Sequence, residues 1–229
     1  MKILLILSEI ALCFVLYYRF FLLFILFIVP NSGALSPARI ALRRHLDSGT
    51  SKVMFEILRQ DIRHKAVWFE LPPTAKSTLK MLFSDGSSAQ ILYRAMRFCQ
   101  TRRLKPLAFV FYRLNAFFGH AVIGRGADFG PGLVILHSIG IVINSQVRAG
   151  RNLVLEHGVT IGAEKNRCPV LGDNVFIGAG AKIIGAVRIG SDVKIGANAV
   201  VTKDIPDGAT AVGIPARVIK IYGVRCSGI

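Results

Sequence analysis

The sequence predicts an α+β chain in which N-terminal helices are followed by a parallel β-helix of six-residue repeats. Stepping by six from Ile123 to Val201 gives fourteen positions, and thirteen of them hold a large apolar residue. Glycine directly follows six of these positions. A unit of six residues is too short for a helical repeat but fits one short strand and a turn. The residues before Phe118 instead carry apolar side chains at helical spacing.

The repeat predicts a triangular solenoid. Three units complete one coil, and successive coils stack at the strand spacing of about 4.8 Å. We expect each repeat residue to point inward and to stack on its equivalent 18 residues later. Such a solenoid has four to five coils, and its thin core favours trimerisation. The exception, Lys165, lies in the polar stretch 163–168, which we interpret as an excursion loop that leaves and rejoins the register.

Segment 37–118 is predicted to be helical. A first helix contains the apolar positions between Val53 and Phe69 and ends before Pro72, because proline breaks the helical pattern. Three further helices are predicted at 75–83, 89–99 and 106–118.

Basic residues crowd around the last two predicted helices. Residues 34–118 carry 15 Lys and Arg against 5 Asp and Glu. The simpler interpretation is a solvated helical face, and the alternative is contact with anionic lipid. No recognition helix, RNP motif or zinc-finger pattern accompanies these charges, so we do not expect nucleic-acid binding. The residues concerned are Arg94, Arg97, Arg102, Arg103, Lys105 and Arg113.

Composition excludes several classes of protein. The chain has 229 residues, a formal net charge of +16 and 52% hydrophobic residues. A disordered polyelectrolyte needs low hydrophobicity alongside its charge, so that class is excluded. The four cysteines form no CxxC pair, which argues against a disulfide scaffold or a zinc knuckle and suits a reducing compartment.

The N-terminal segment 1–33 is a candidate membrane anchor. Ile10–Val29 contains a single charge, Arg19, and a helix of that length spans about 30 Å. The positive-inside rule applied to Arg39 and Arg43 places the rest of the chain in the cytoplasm, at the inner face of the membrane. A cleaved signal peptide, a wrongly assigned start codon and a packed soluble helix are the alternatives.

Six stretches of the C-terminal half carry a resemblance to a known family. They are Ile123–Gly126, Leu136–Ile143, Gly158–Gly162, Arg167–Pro169, Gly172–Lys182 and Val212–Val218. Together they resemble the hexapeptide-repeat acyltransferases, most closely the serine acetyltransferases and their relatives in polysaccharide gene clusters. The resemblance implies a left-handed β-helix that forms a homotrimer or a dimer of trimers.

A weaker likeness at Leu92-Tyr93-Arg94 extends the resemblance to the N-terminal helices of that family. The predicted organisation is therefore an apolar segment at 1–33, a basic helical domain at 34–118, a β-helix acyltransferase domain at 119–220 and a tail at 221–229.

The resemblance implies a catalytic residue, because His137 matches the catalytic histidine of the family. Acyl transfer from a thioester to a hydroxyl needs a base that takes the hydroxyl proton. Imidazole suits that role at neutral pH. The implied reaction is direct attack of the bound hydroxyl on acetyl-CoA, without an acyl-enzyme.

Two departures from the family pattern affect this site. The serine enzymes carry an aspartate that orients the histidine, but Phe117–Ala121 and Leu136 supply no carboxylate. Without one, a backbone carbonyl would have to fix the tautomer. Cys168 stands where the serine enzymes have a second histidine, whereas Arg167 is retained and can pair with a substrate carboxylate. For Cys168 the alternatives are substrate contact, a nucleophile and a small loop residue.

The resemblance also implies a CoA site between adjacent subunits, along the C-terminal coils. The residues that match it are Gly162, Ala179, Gly180, Ala197, Lys203 and Arg217. Small residues leave room for the pantetheine arm and the two basic residues face the phosphates, although an ordinary surface position is the alternative for each basic residue. No metal is expected, because His120, His137 and His157 lack the spacing of a solenoid zinc site.

Three functions follow as hypotheses. The first is serine O-acetyltransferase, which produces O-acetyl-L-serine for cysteine biosynthesis. The second is acetylation of a sugar hydroxyl in surface polysaccharide synthesis, and the third is a catalytically silent trimeric scaffold. The terminal Gly228-Ile229 also resembles the tail with which serine acetyltransferases dock into O-acetylserine sulfhydrylase, so that enzyme is a candidate partner through Ile229.

Overall fold

The computed structural model describes residues 49–72 and 74–226, with side chains from Val53 onward. The candidate membrane anchor at 1–33 and the candidate docking residue Ile229 lie outside the described residues. Within those two ranges, no helix combines the length and the apolar character needed to cross a bilayer.

The helical segment contains four helices in the described residues: α1 Gly49–Trp68, α2 Ala75–Leu82, α3 Ser87–Thr101 and α4 Lys105–Phe118. Their bounds lie within a few residues of the predicted ones. A capping box begins α2, because the Thr74 hydroxyl accepts the Ser77 N–H and the Ser77 hydroxyl accepts the Thr74 N–H. Pro106 lies in the first turn of α4, where its missing N–H leaves no helical bond unmade.

Short parallel strands form the solenoid, and the coils give it three faces. Face A consists of β1, β4, β7, β10 and β13, face B of β2, β5, β8 and β11, and face C of β3, β6, β9, β12 and β14. An antiparallel hairpin, β15–β16, continues face C after the last coil. The strands are β1 Ala121–Ile123, β2 Asp128–Phe129, β3 Val134–Ile135, β4 Ile141–Ile143, β5 Arg148–Ala149, β6 Val154–Leu155, β7 Thr160–Gly162, β8 Val170–Leu171, β9 Phe176–Ile177, β10 Lys182–Ile184, β11 Arg188–Ile189, β12 Lys194–Ile195, β13 Val200–Val201, β14 Ala209–Val212, β15 Arg217–Ile221 and β16 Val224–Arg225.

Each face stacks the repeat residue of every coil in a column, as the repeat predicts. These side chains form three columns along the solenoid and make up about half of its buried core. The predicted fold class, N-terminal helices followed by a hexapeptide-repeat β-helix, is confirmed. The columns are Ile123, Ile143, Ile161, Ile183 and Val201 on face A; Phe129, Ala149, Leu171 and Ile189 on face B; and Ile135, Leu155, Ile177, Ile195 and Ala211 on face C.

The prediction of a uniform 18-residue stacking interval is wrong for the first half of the solenoid and for its last coil, where Ile195 pairs with Ala211 after 16 residues. Ile123 pairs with Ile143, an interval of 20 residues. Ile161 pairs with Ile183, an interval of 22. Two extra residues enter the turn that contains His137, and four enter the excursion loop around Lys165. Together these insertions equal one repeat, so the six-residue count comes back into register after the loop.

The mispredicted positions are buried all the same. Ile141, Val147, Leu153 and Val159 are at most 1% exposed although none of them is in a stacking column. Each lies two residues before a column residue, and alternate residues of an extended chain point to the same side. Period-six counting therefore identified core residues correctly while it misplaced the register of one and a half coils.

A buried ion pair joins the helical segment to the first coil. Arg94 on α3 binds Asp61 on α1 through two N–O contacts of 2.7 and 3.0 Å. The guanidinium also donates to the carbonyls of Phe129 and Gly130, while Asp61 accepts the N–H groups of Gly132 and Leu133. Arg94 is therefore not part of a solvated or lipid-binding basic face, which corrects that prediction for this residue.

The neighbouring Tyr93 makes a second connection to the same coil. Its hydroxyl donates to the Ala127 carbonyl and accepts the Phe129 N–H, both at 3.1 Å. Burial raises the pKa of Tyr93 to about 12, so the phenol stays protonated and able to donate. Two successive residues of α3 thus bind the backbone of the first coil.

Helix α1 covers the first coils of face C. Trp68 stacks on Phe176 with ring centroids 5.3 Å apart. Beside that pair, Val134, Leu136 and Val154 form a small buried cluster with Phe176 packed against it. Face C is thereby an internal surface at this end of the solenoid.

We predict that Asp61→Ala destabilises the fold by about 3–5 kcal/mol, because it leaves the buried Arg94 charge unpaired. Urea denaturation measures the change. The matched control is Asp128→Ala, which removes a partly exposed ion pair between the first coil and α3, with Arg97 at 2.7 Å. That control should cost about 0–1 kcal/mol. Equal losses in the two variants would contradict the role of the buried pair.

Candidate active site

Two edges of face A collect the residues that the sequence singled out. The C–A corner is the turn that leads from face C to face A in each coil, and the A–B corner is the segment that leads on to face B. His137 lies at the C–A corner of the first coil, between β3 and β4.

The turn that carries His137 is longer than the one stacked on it. Ile135 pairs with Leu155 before the corner, and Val142 pairs with Thr160 after it. The first turn therefore spans two residues more than the second. The extra length raises the segment away from the coil, and the His137 side chain is 53% exposed.

His137 has two polar neighbours. Its Nδ1 lies 3.3 Å from Oδ2 of Asp85, which belongs to the turn between α2 and α3. The ring of His157, from the next coil, is 6.2 Å away between centroids at an interplanar angle of 68°. A carboxylate thus stands beside His137, although it comes from the helical segment and not from the solenoid.

This carboxylate is not among the predicted site residues, because the residues around the first coil alone carried that prediction. No spacing rule connects position 85 to position 137, since their contact depends on how α3 packs against the solenoid.

Buried contacts fix the turn that carries Asp85. The Lys65 ammonium donates to the Asp85 carbonyl, and to the Ser87 hydroxyl at 2.9 Å. Gly86 has φ +74°, and a Cβ at this position would collide with the carbonyl of Ile135. Only glycine lets the turn approach the strand that precedes His137 so closely.

Lys65 is fully buried, and burial lowers its pKa to about 8 against the opposing effect of the Asp85 charge. A neutral amine keeps two N–H groups, so both of its hydrogen bonds can persist without the charge. Lys65 is therefore a structural lysine whose pKa burial lowers to about 8.

The residues predicted to bind CoA divide between the two corners. Ala179, Gly180 and Ala197 lie in the later turns of the C–A corner, on the coils that follow His157. Successive coils stack closely here, because Gly180 N–H donates to the His157 carbonyl at 2.8 Å. Arg217 begins β15 beside Ala216, which caps the same edge.

The remaining predicted residues lie at the A–B corner. They are Gly162, Arg167, Cys168 and Lys203. The excursion loop closes on itself where Glu164 and Arg167 form a bridge. Its exposed end therefore presents the Arg167 side chain to solvent.

Cys168 attaches the excursion loop to the coil beneath it. Its thiol lies 3.3 Å from the Asn144 amide oxygen and 3.8 Å from that of Gln146. Amide oxygens do not act as bases, so these contacts favour a structural or substrate-contact role over a nucleophile. A cavity of about 510 Å³ adjoins the loop, lined by Arg167, Cys168, Arg188 and Asp204 among others.

A single chain does not bring His137 and Arg167 together, since face A separates the two corners. The outward side of that face carries exposed valines, Val122 and Val142. Within residues 49–72 and 74–226, no cluster of three or more metal-ligating side chains occurs.

Comparison with known proteins connects this fold and site to one group of enzymes. The family model described as bacterial transferase hexapeptide (six repeats) matches residues 168–203. A serine acetyltransferase of Synechococcus elongatus is 36% identical over 177 residues, which cover 75% of this chain and 71% of the relative. That of Helicobacter pylori is 41% identical over 143 residues, or 61% of this chain and 84% of the relative.

Solved structures agree. The Neisseria gonorrhoeae serine acetyltransferase in complex with serine superposes with a TM-score of 0.67 at 31% identity, covering 80% of this chain and 77% of that one. A serine acetyltransferase in complex with CoA gives a TM-score of 0.67 at 30% identity, covering 80% of this chain and 79% of that one.

We predict that the buried Lys65 makes stability depend on pH. Its folded-state pKa of about 8 lies below the ordinary 10.5, so between these values the unfolded state binds more protons. Relative to Lys65→Met, the free energy of unfolding of the wild type should therefore rise from pH 8 to 10.5, by an amount on the order of 3 kcal/mol. Urea titrations at several pH values test this. A constant difference between the two proteins would contradict it.

Proposed function

The chain belongs to the serine acetyltransferase family, and we propose from this membership that it transfers the acetyl group of acetyl-CoA to the hydroxyl of L-serine. The product is O-acetyl-L-serine. The single observation that carries the assignment of the site is the exposed His137, raised on a lengthened turn beside a carboxylate.

His137 acts as the general base in this proposal. Its Nε2 takes the proton of the serine hydroxyl while the oxygen attacks the thioester carbonyl of acetyl-CoA. The C–S bond then breaks, and the departing CoA thiolate receives the proton from His137. No acyl-enzyme forms, so Cys168 is not needed as a nucleophile.

Arg167 and Cys168 serve acceptor binding. An arginine fork matches the two oxygens of a carboxylate. The Arg167 guanidinium is exposed, and none of the salt bridges among the described residues involves it. Cys168 holds the loop against the coil beneath it through Asn144 and Gln146. It presents a smaller side chain to the acceptor than a histidine would.

Acetyl-CoA runs along the C–A corner in this proposal. Ala179, Gly180 and Ala197 present little side chain there, which leaves room for the pantetheine arm. Arg217 at this edge and Lys203 at the A–B corner of the neighbouring subunit are exposed and supply positive charge for the phosphates. Gly162, at the far edge of face A, lines the approach from the neighbouring subunit.

A homotrimer completes the site. His137 and Arg167 lie at opposite edges of face A, so they meet only if the C–A corner of one copy adjoins the A–B corner of the next. A threefold arrangement around face A does this and buries the exposed Val122 and Val142.

A sugar O-acetyltransferase is the second candidate function. The observation that favours it is Cys168, which replaces a histidine expected for serine binding and is bound to Asn144 and Gln146. A hydroxyl acceptor without an amino-acid head group needs no second histidine.

We predict that His137→Ala lowers acetyl transfer by about 10²- to 10⁴-fold, the usual contribution of a general base. The measurement is release of the free CoA thiol from acetyl-CoA, with L-serine and in parallel with a panel of sugars and nucleotide sugars. His120→Asn is the control, because His120 is an exposed residue at φ +52°, which asparagine tolerates.

Turnover with L-serine that disappears in His137→Ala supports the serine assignment. Turnover with a sugar alone would replace serine as the acceptor. Silence with every acceptor, together with no binding of acetyl-CoA, would overturn the enzyme and leave a trimeric scaffold.

We predict that two inactive variants complement each other. In a trimer formed at random from equal amounts of His137→Ala and Arg167→Ala chains, about a quarter of the interfaces pair an intact histidine with an intact arginine. Co-expressed variants should therefore recover about a quarter of the wild-type activity. The control is the double variant mixed with itself, which has no intact site. A failure to complement, or a monomeric mass in light scattering, would contradict a site shared between copies.

A further inference from the structure

The solenoid contributes no carboxylate to His137 from the residues around its first coil, yet a histidine that acts as a base works best when one ring nitrogen is held by a partner. That partner decides which nitrogen carries the proton. Asp85 stands at the required place, with Oδ2 3.3 Å from Nδ1 of His137.

We propose that Asp85 is the positioning residue of His137. Its carboxylate accepts a hydrogen bond from the Nδ1–H group, which leaves Nε2 unprotonated and directed at the acceptor hydroxyl. When Nε2 takes the hydroxyl proton, the Asp85 charge stabilises the imidazolium until the proton passes to the CoA thiolate. This inference rests on the proposed role of His137 as the base.

The turn that holds Asp85 is built for a fixed position. Lys65, fully buried, binds its main chain at Asp85 and the neighbouring Ser87 hydroxyl. Gly86 allows a backbone approach to Ile135 that no other residue permits. Gln90, one turn along α3, accepts the Ile135 N–H at 3.2 Å. An exposed carboxylate on a surface loop would need none of these contacts.

The other charged groups near the ring have different partners. Nδ1 of His157 lies 3.7 Å from Oε2 of Glu156, so that carboxylate belongs to the second histidine. Lys182 donates to the Gly158 carbonyl at 2.5 Å. Lys65 contacts the main chain of the Asp85 turn. Among the described ion pairs, Asp85 is the one carboxylate partner of His137.

The proposal gives the helical segment a part in the chemistry. Helix packing through Arg94 and Tyr93 sets the distance between α3 and the first coil, and the Asp85 turn immediately precedes α3. The helices therefore bring the positioning residue to His137 within the same chain, whereas in the proposed trimer the acceptor-binding Arg167 comes from a neighbouring copy.

The test compares Asp85→Asn with the wild-type full chain. Asparagine keeps the size of the side chain but removes the charge and can present an N–H group to Nδ1. We expect kcat to fall by about tenfold or more, with little change in the KM for the acceptor. This loss should be smaller than the ~10²–10⁴-fold that a general base contributes as a whole. Asp85→Glu, which restores a carboxylate, should recover part of the lost kcat.

The matched control is Asp128→Asn. Asp128 is also an exposed aspartate paired with a side chain across the boundary between α3 and the solenoid, with Arg97 as its partner. It should leave kcat unchanged. The melting temperatures of both variants should stay close to that of the wild type, because the Asp85 and Asp128 side chains are 83% and 54% exposed.

A spectroscopic readout separates this inference from the proposed function. Two-bond ¹H–¹⁵N spectra of the histidine-labelled chain report which ring nitrogen is protonated, and the His137 peaks are assigned by their loss in His137→Ala. Asp85→Asn should shift His137 away from the Nδ1–H form of the wild type. If Asp85→Asn leaves both the spectra and kcat unchanged while the wild type still loses activity in His137→Ala, the role of Asp85 is overturned and that of His137 stands. A rise in KM without a change in kcat would also overturn it, because it would make Asp85 a contact to the acceptor.

Discussion

The buried ion pair between Arg94 and Asp61 holds the helical segment in one position on the solenoid. Both charges also bind main-chain groups of the first coil, so neither can move without leaving a buried polar group unpaired. The pair therefore fixes where α3 begins relative to His137. From this constraint follow the approach of Gly86 to Ile135, the place of Asp85 and the cover of face C by α1.

Two insertions lengthen coils of the solenoid, and both insertions lie at the site. Two extra residues lift His137 out of the C–A corner, and four extend the loop that ends in Arg167 and Cys168. The last coil is two residues shorter than the 18-residue interval, and single residues still stack in columns along the whole solenoid. Regular stacking supplies rigidity, while the insertions supply the side chains that a uniform repeat would keep flush with the surface.

Much of the fold could be predicted because its pattern is local. The helix bounds follow from proline, glycine and apolar spacing, and inward residues recur every six positions. The register was harder to predict, since insertions of two and four residues add up to one six-residue repeat and leave the count unbroken. Ile141 and Val159 are apolar and buried although they are not column residues. The identity of His137 followed from its family resemblance, but its partner Asp85 did not, because 52 residues of chain separate the two.

The sequence by itself determined the solenoid, the four helices and the residues that resemble an acetyltransferase site, because each rests on periodicity or on a short contiguous motif. Only the tertiary structure decided that Arg94 is a buried structural residue, that the predicted site residues fall on two edges of face A, and that the helical segment brings a carboxylate to His137. Those outcomes depend on how elements distant in the chain pack together, and the spacing of residues along the chain does not specify which distant elements come into contact.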